Sequence, residues 1–284
     1  MKTAFLISFL TATTVMPLLA QPIAVLTYNI RYDNPADGDD AWPLRRAFLV
    51  RQLRFHAPDI FGIQEGLKRQ VDFIQEQLPE FEHVGSGRDD GREAGEYSAL
   101  FFRKNRFVAL ESGTFWLSER PDTVSKGWDA ALPRICTWAL LSDKDTKRKL
   151  WVLNTHFDHI GKEARKSSAA LIMNKIREKN PKGYPVVLMG DLNATPGSEP
   201  IWMFSQELLD TRSHSIEPPF GPPGTFNGFR FKEPVEVCID YIFVSHDLAI
   251  RQYAVLSDSW GCRYPSDHLP VYAKLEYTPK GKKR

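Results

Sequence analysis

Short apolar runs alternate along the chain with stretches in which apolar residues recur every three or four positions. Ile23 to Ile30 is apolar except for Thr27 and Asn29, the pattern of a strand covered on both faces. An Asx- and Gly-rich loop, Asp33 to Asp40, follows. Trp42 to Ala57 then places Leu44, Ala47, Phe48 and Phe55 near helical spacing, with Pro43 suited to a first turn. Ile60 to Glu65 predicts a second buried strand ending in a carboxylate. Leu67 to Leu78 predicts a helix with Leu67, Val71, Ile74 and Leu78 on its inner face.

From there the period changes to that of strands. They are expected at 81–85, 97–102 and 107–117, with a hairpin of 134–141 and 149–156 around the polar turn Ser142 to Thr146. Lys162 to Lys179 predicts a helix with Ala169, Ile172, Met173 and Ile176 inward. The apolar run Val186 to Met189 stops at Gly190. A short helix over 200–209 and strands over 237–244, 249–256 and 270–277 complete the chain. Strand–helix–strand units followed by strand pairs, with no repeat and no long linker, predict one domain of mixed sheets flanked by helices.

Several predicted strands end in groups suited to metal or phosphate chemistry. These are Asn29, Glu65, the stretch Asn154-Thr155-His156-Phe157-Asp158, Asp191 with Asn193, and Asp240; Ser266-Asp267-His268 opens the last strand. Each has a plain structural reading: a turn cap, a helix-start carboxylate, a core histidine. Asp240 resists it most, because a charge inside Val237 to Phe243 is costly to bury without a partner. Asp191 and Asn193, two apart, share one side if the chain stays extended. Taken together, Asn29, Glu65, Asp191 and Asp267 are hard oxygen donors of the kind that suit Mg2+, Mn2+ or Ca2+ and not zinc, and His156 and His268 supply acid–base groups. That set predicts metal-assisted attack of water on phosphorus.

These motifs, Thr27-Tyr28-Asn29-Ile30, Gln64-Glu65, Asn154-Thr155-His156, Gly190-Asp191-Leu192-Asn193, Ile239-Asp240-Tyr241-Ile242 and Ser266-Asp267-His268-Leu269-Pro270, occur in one order over Ile23 to Tyr277. In that order they resemble the endonuclease/exonuclease/phosphatase superfamily, to which DNase I belongs. The resemblance implies an α+β fold, a four-layer αββα sandwich. It implies Glu65 as principal metal ligand with Asn29 and Asp267 nearby. Asp191 would orient or deprotonate the attacking water, and Asn193 would hold water or a phosphate oxygen. His268, held by Asp240, and His156 would flank the phosphate. Glu96 matches a carboxylate that orients the histidine at the position of His156, and Arg134 matches a phosphate-contacting arginine.

Composition narrows the substrate less. The chain has 284 residues, 42% hydrophobic and 25% charged, with a formal charge of +2. That balance is globular, and too weakly basic to argue for nucleic acid by itself. The acidic loop Asp33 to Asp40 is unattractive to a duplex, and no long basic stretch tracks a polyanion. No segment is of a membrane-inserting kind. Phe226 and Phe229, around an Asn-Gly turn, are placed either to anchor a hairpin or to stack on a ring.

The expected activity is a metal-dependent phosphodiesterase acting on a phosphate-ester substrate, with a nuclease as the leading specific case. A phosphomonoesterase on sugar or inositol phosphates is the alternative. An inactive phosphate-binding module on the same fold is the reading from another class, and the complete polar set speaks against it.

Residues 1–20 carry Lys2, an apolar start and a small residue, Ala20, before Gln21, the pattern of an export signal. The remainder, 21–284, is expected as one exported domain with a short basic tail, Lys280 to Arg284, and as a monomer. Cys136, Cys238 and Cys262 cannot all pair within one chain, and no Cys/His spacing suggests zinc.

Overall fold

The structure, a computed structural model, describes residues 21–278. The export-signal segment 1–20 and the basic tail lie outside the described residues. Two six-stranded sheets carry the fold. The first runs β11-β12-β1-β2-β4-β3, with β1 Ile23–Asn29, β2 Ile60–Gln64, β3 Phe81–Val84, β4 Leu100–Arg103, β11 Leu248–Val255 and β12 Val271–Tyr277. The second runs β5-β6-β7-β8-β10-β9, with β5 Phe107–Trp116, β6 Ile135–Asp143, β7 Lys149–His156, β8 Val186–Asp191, β9 Leu209–Asp210 and β10 Asp240–Val244.

Three apolar layers account for the four-layer order. One lies between the sheets and includes Val25, Ile60, Leu150, Val187, Ile242 and Val271. A second seals the first sheet under α1 (Trp42–His56) and α2 (Lys68–Gln77), through Leu49, Leu53, Phe61, Val71 and Ile74. A third seals the other sheet under α3 (Lys162–Lys179) and α4 (Glu199–Ser205), through Leu153, Ala169, Ile172, Leu188 and Phe204. A central strand therefore has both faces buried, which is why β1, β2, β7 and β8 read as unbroken apolar runs. At about 1.5–3 kcal/mol per fully buried large apolar side chain, these layers are the main source of stability.

Each sheet contains one parallel pair made by a strand–helix–strand crossover. β1 pairs with β2, bringing Asn29 opposite Gln64, and β7 pairs with β8, bringing His156 opposite Asp191. β10 runs antiparallel to β8 and sets Asp240 opposite Asp191. The polar residues at the strand ends thus gather at one end of the sandwich. A buried staple ties the sheets just below them: Asn154 Nδ2 donates to Ile63 O (2.9 Å) and Ala99 O (3.0 Å), and Gln64 Nε2 donates to Asn154 Oδ1 (2.6 Å). Gly62 leaves the room, since a Cβ there would lie 2.6 Å from the Asn154 side chain.

Two local expectations are corrected. α1 turns Trp42, Arg45, Leu49, Val50, Gln52 and Leu53 inward and leaves Leu44 and Phe55 exposed. Arg45 can be buried because it donates to four backbone carbonyls, those of Asp40, Ile30, Pro265 and Arg31. The strand expected from Val237 begins only at Asp240, because Val237 pairs instead with Phe226 in an isolated bridge.

Candidate active site

Asp191 is the centre of the site. Gly190 delivers it: with φ 149°, and a Cβ position 2.0 Å from Thr155 O, no other residue fits between the two parallel strands. Asp191 Oδ2 accepts from Asn29 Nδ2 at 2.9 Å and lies 3.4 Å from His156 Nε2 and 3.8 Å from His268 Nε2. Asp191 Oδ1 accepts from the Asn193 N–H at 2.9 Å. Burial, with the Asp240 charge adding to it, pushes the Asp191 carboxyl up to about 7, against the pull of His268, Asn29 and Asn193.

Asn193 does not extend the strand. Its φ of 44° is left-handed, so the chain turns back, and its Nδ2 donates to Phe157 O at 3.0 Å while lying 3.1 Å from His156 Nε2. The side chain still reaches the Asp191 side of the site, by a turn instead of by strand alternation.

His268 and Asp240 form a tight pair. His268 Nδ1 donates to Asp240 Oδ2 at 2.9 Å, and Thr225 Oγ1 donates to the same oxygen at 2.5 Å. Although burial opposes a charged ring, the Asp240 carboxylate raises the His268 pKa to about 10. Phe226 abuts this ring edge-on at 5.0 Å, and its backbone bridges both Val237 and His268. Thr225 and Phe226 therefore brace the pair, which resolves the open reading of Phe226 in favour of an anchor.

His156 has the opposite surroundings. Its Nδ1 accepts from Arg134 Nη1 at 3.1 Å. Arg134 is itself held by Asp158 Oδ2 (3.4 Å) and by His159 Nδ1 (3.0 Å). An arginine only donates, so Nδ1 carries no proton; a neutral ring then has its hydrogen on Nε2, facing Asp191 Oδ2 at 3.4 Å, and the Asn193 amide beside Nε2 makes no hydrogen bond to it. Burial, then Arg134 and Arg88, hold the His156 pKa well below the ordinary value.

Glu96 does not orient His156. Both its oxygens are taken by Arg88, at 2.7 and 2.9 Å. A buried guanidinium and a half-buried carboxylate so close satisfy each other first, and Arg134 occupies the place by His156. Arg134 is only 5% exposed and is spent on Asp158 and the histidines, so its contact is to His156 within the protein. Arg88 escaped notice in the sequence because it stands in a loop of mixed charge. Thr225 escaped it because the partner lies 15 residues on.

Glu65 stands just past β2 with φ 63°; it accepts from Asn29 Nδ2 (3.1 Å) and from the Tyr32 N–H (3.1 Å). Asp267 is buried, and that burial together with the Glu65 charge raises its pKa against His268, Arg31 and Arg45. Arg31 Nε lies 3.8 Å from its Oδ2. Asn29, Glu65 and Asp267 are thus gathered on the first-sheet side of Asp191. A second grouping, Asp191, Asp240 and His268, has ligand atoms within 4.8 Å of one another. In that grouping His268 Nδ1 is already committed to Asp240. The donor chemistry fits a hard divalent cation best on the Glu65, Asn29 and Asp267 side, where buried Asp267 and half-buried Glu65 repel one another and every donor is oxygen.

A model of the Endonuclease/Exonuclease/phosphatase family matches residues 26–268. The chain belongs to that family. Among solved structures, a mannosyl-6-phosphatase of Bacteroides thetaiotaomicron is similar with a TM-score of 0.88 and 39% identity, over 90% of this chain and 100% of that one. A CCR4-Not complex 3'-5'-exoribonuclease subunit of Mycosarcoma maydis is 23% identical over 88% of this chain and 50% of its own length. Human nocturnin is 23% identical over 95% of this chain and 69% of its own. The chain spans about half the length of the curated relatives it matches first. The superfamily resemblance and the sandwich of two mixed sheets between helices are as the sequence implied. Cys136 and Cys238 are buried and unpaired, and Cys262 is exposed. No helix among the described residues is long and apolar enough to cross a membrane.

Proposed function

We propose that this family hydrolase is a Mg2+- or Mn2+-dependent phosphomonoesterase acting on sugar phosphates. The observation that carries the choice is the full-length likeness to a mannosyl-6-phosphatase at 39% identity. The charge arrangement supports it. Arg31 is paired with Asp37, Arg88 with Glu96, Arg134 with Asp158 and Arg263 with Asp39, so these cations around the site form no open track for a long polyanion. A phosphodiesterase acting on RNA is the second reading, favoured by the exoribonuclease among the curated relatives.

Glu65, Asn29 and Asp267 would hold the cation, whose charge would neutralise the phosphate and its leaving oxygen. Asp191, with a pKa near neutrality, accepts the proton of the attacking water. His268, kept as a cation by Asp240, faces the charge that builds on the phosphoryl oxygens. Neutral His156 donates from Nε2 on the other side, and Asn193 orients the water or an oxygen. The segment 1–20 directs export, the mature domain works as a monomer, and mass spectrometry of the exported protein would show a start near Gln21.

The test is phosphate release from p-nitrophenyl phosphate and mannose 6-phosphate, against bis-p-nitrophenyl phosphate and an RNA oligonucleotide. It is run with Mg2+ or Mn2+, with and without EDTA, and with Asp191→Asn as blank. Metal-dependent release from the monoesters is expected. Release from the diesters alone would move the assignment to a phosphodiesterase.

A further inference from the structure

Beside the catalytic end, a groove of about 250 Å³ lies between the start of α1 and the segment leading to Asp267. It is smaller than the roughly 300–1,000 Å³ of drug-sized sites, so it suits a single ring and not a chain. Its lining mixes apolar side chains, among them Leu44, Phe48 and Trp260, with the charged Asp39, Asp40, Arg45 and Arg263. Trp260 is 58% exposed, and its indole lies nearly parallel to Phe48, at 29° and 6.5 Å between centroids. Reciprocal backbone hydrogen bonds between Trp260 and Arg263, at 2.9 and 3.0 Å, fix a tight turn that presents both side chains. Arg263 Nη2 meets Asp39 Oδ2 at 2.8 Å, which holds that carboxylate at the rim.

The groove is joined to the active site through two short chain segments. The turn Pro35–Asp40 gives Asp39 and Asp40 to the groove and Asp37 to Arg31, whose Nε lies 3.8 Å from Asp267 Oδ2. Pro265, on the groove wall, is two residues before Asp267, and Arg45 ties its carbonyl to those of Ile30 and Arg31 next to Asn29. A second unit of a substrate whose phosphate sits at Asp191 would reach the groove by passing over these segments.

We infer that this groove is a sugar subsite, which receives a hexopyranose unit attached to the phosphorylated one, with the ring on Trp260 and its hydroxyls on Asp39, Asp40 and Arg263. A pyranose has an apolar C–H face and a rim of hydroxyls. An exposed indole covers the first, and carboxylates and a guanidinium hydrogen-bond to the second. A nucleic-acid phosphate is a poor occupant, because two carboxylates line the wall. The inference rests on the sugar-phosphatase reading above and supplies the substrate's second unit.

The experiment measures wild type and Trp260→Ala on p-nitrophenyl phosphate, mannose 6-phosphate and mannobiose 6-phosphate, with Mg2+. Trp260→Ala should lower kcat/KM for the disaccharide phosphate by about tenfold or more through KM, the equivalent of about 1.4 kcal/mol. Its kcat and its rate on p-nitrophenyl phosphate should stay as in wild type. An unchanged KM for the disaccharide phosphate, or an equal loss on all three substrates, would overturn the subsite. If no monoester is hydrolysed, the sugar-phosphatase reading has failed, and calorimetry with unphosphorylated mannobiose decides the groove separately. Binding by wild type that disappears in Trp260→Ala supports it, and no binding by wild type overturns it.

Discussion

His268 and His156 face the same oxygen of Asp191, at 3.8 and 3.4 Å, and each is at most 6% exposed. Their neighbours drive them apart. His268 rests on the Asp240 carboxylate and holds its proton up to about pH 10, whereas His156 rests on Arg134 and stays neutral. Burial alone would have lowered both. What differs is the group on the far ring nitrogen, an acceptor in one case and an obligate donor in the other. Two equal residues thus become a cation and a neutral donor on either side of one carboxylate, the division of labour that the proposed acid–base role of Asp191 needs.

The largest loss should come from removing the carboxylate they share, the proposed base. Asp191→Asn should cut kcat on p-nitrophenyl phosphate by about 10²–10⁴-fold, the range for a positioned acid–base group, with the thermal midpoint no lower than in wild type. A rate near wild type would remove Asp191 from the chemistry. His268→Gln should lose somewhat less, because Asp191 keeps Asn29. Asp240→Asn should reproduce much of that loss and also bring the alkaline limb of the kcat profile down in pH, since His268 loses its counter-charge. An unmoved limb would mean that Asp240 acts only through packing.

Arg134→Gln should cost about tenfold, within the roughly 10–100-fold typical of groups that orient an active-site ligand. It should also bring His156 back towards titration near neutral pH, seen as a new acid limb. Glu96→Gln should cost less than that range, because both Glu96 oxygens are held by Arg88 and neither bonds His156; an equal or larger loss would restore it as the direct orienting group.

The smallest effect is on stability. Folded His268 keeps a proton that the unfolded chain releases above its ordinary pKa of 6.5, so this contribution is full below pH 6.5 and disappears as pH rises through about 10. His268→Gln should flatten that decline in thermal midpoint across the same window.

Much of this was legible in the sequence because the strands that carry the site are central. β1, β2, β7 and β8 are buried on both faces, so their apolar runs and the polar residue ending each stood out. Asn29, Glu65, His156 and Asp191 were found for that reason, and His268 by the Ser266-Asp267-His268 stretch before the last strand. What was not legible depends on partners distant in the chain. The inner face of α1 includes Arg45 and Gln52, which are buried because carbonyls and Asp258 receive them, so apolar spacing pointed to the wrong face. The Arg88–Glu96 and Arg134–His156 pairs exchange partners that a motif comparison would have joined differently. Thr225 under Asp240, and the groove beside Trp260, require the loops to be placed in space before they can be seen.

The charge split between the two histidines is the claim on which this account of the chemistry rests. Long-range ¹H–¹⁵N correlation spectra of EDTA-treated protein at pH 7, assigned with His156→Gln and His268→Gln, test it directly. The account predicts His268 protonated on both ring nitrogens and His156 protonated on Nε2 alone. Two rings in the same protonation state, or a proton on Nδ1 of His156, would contradict it.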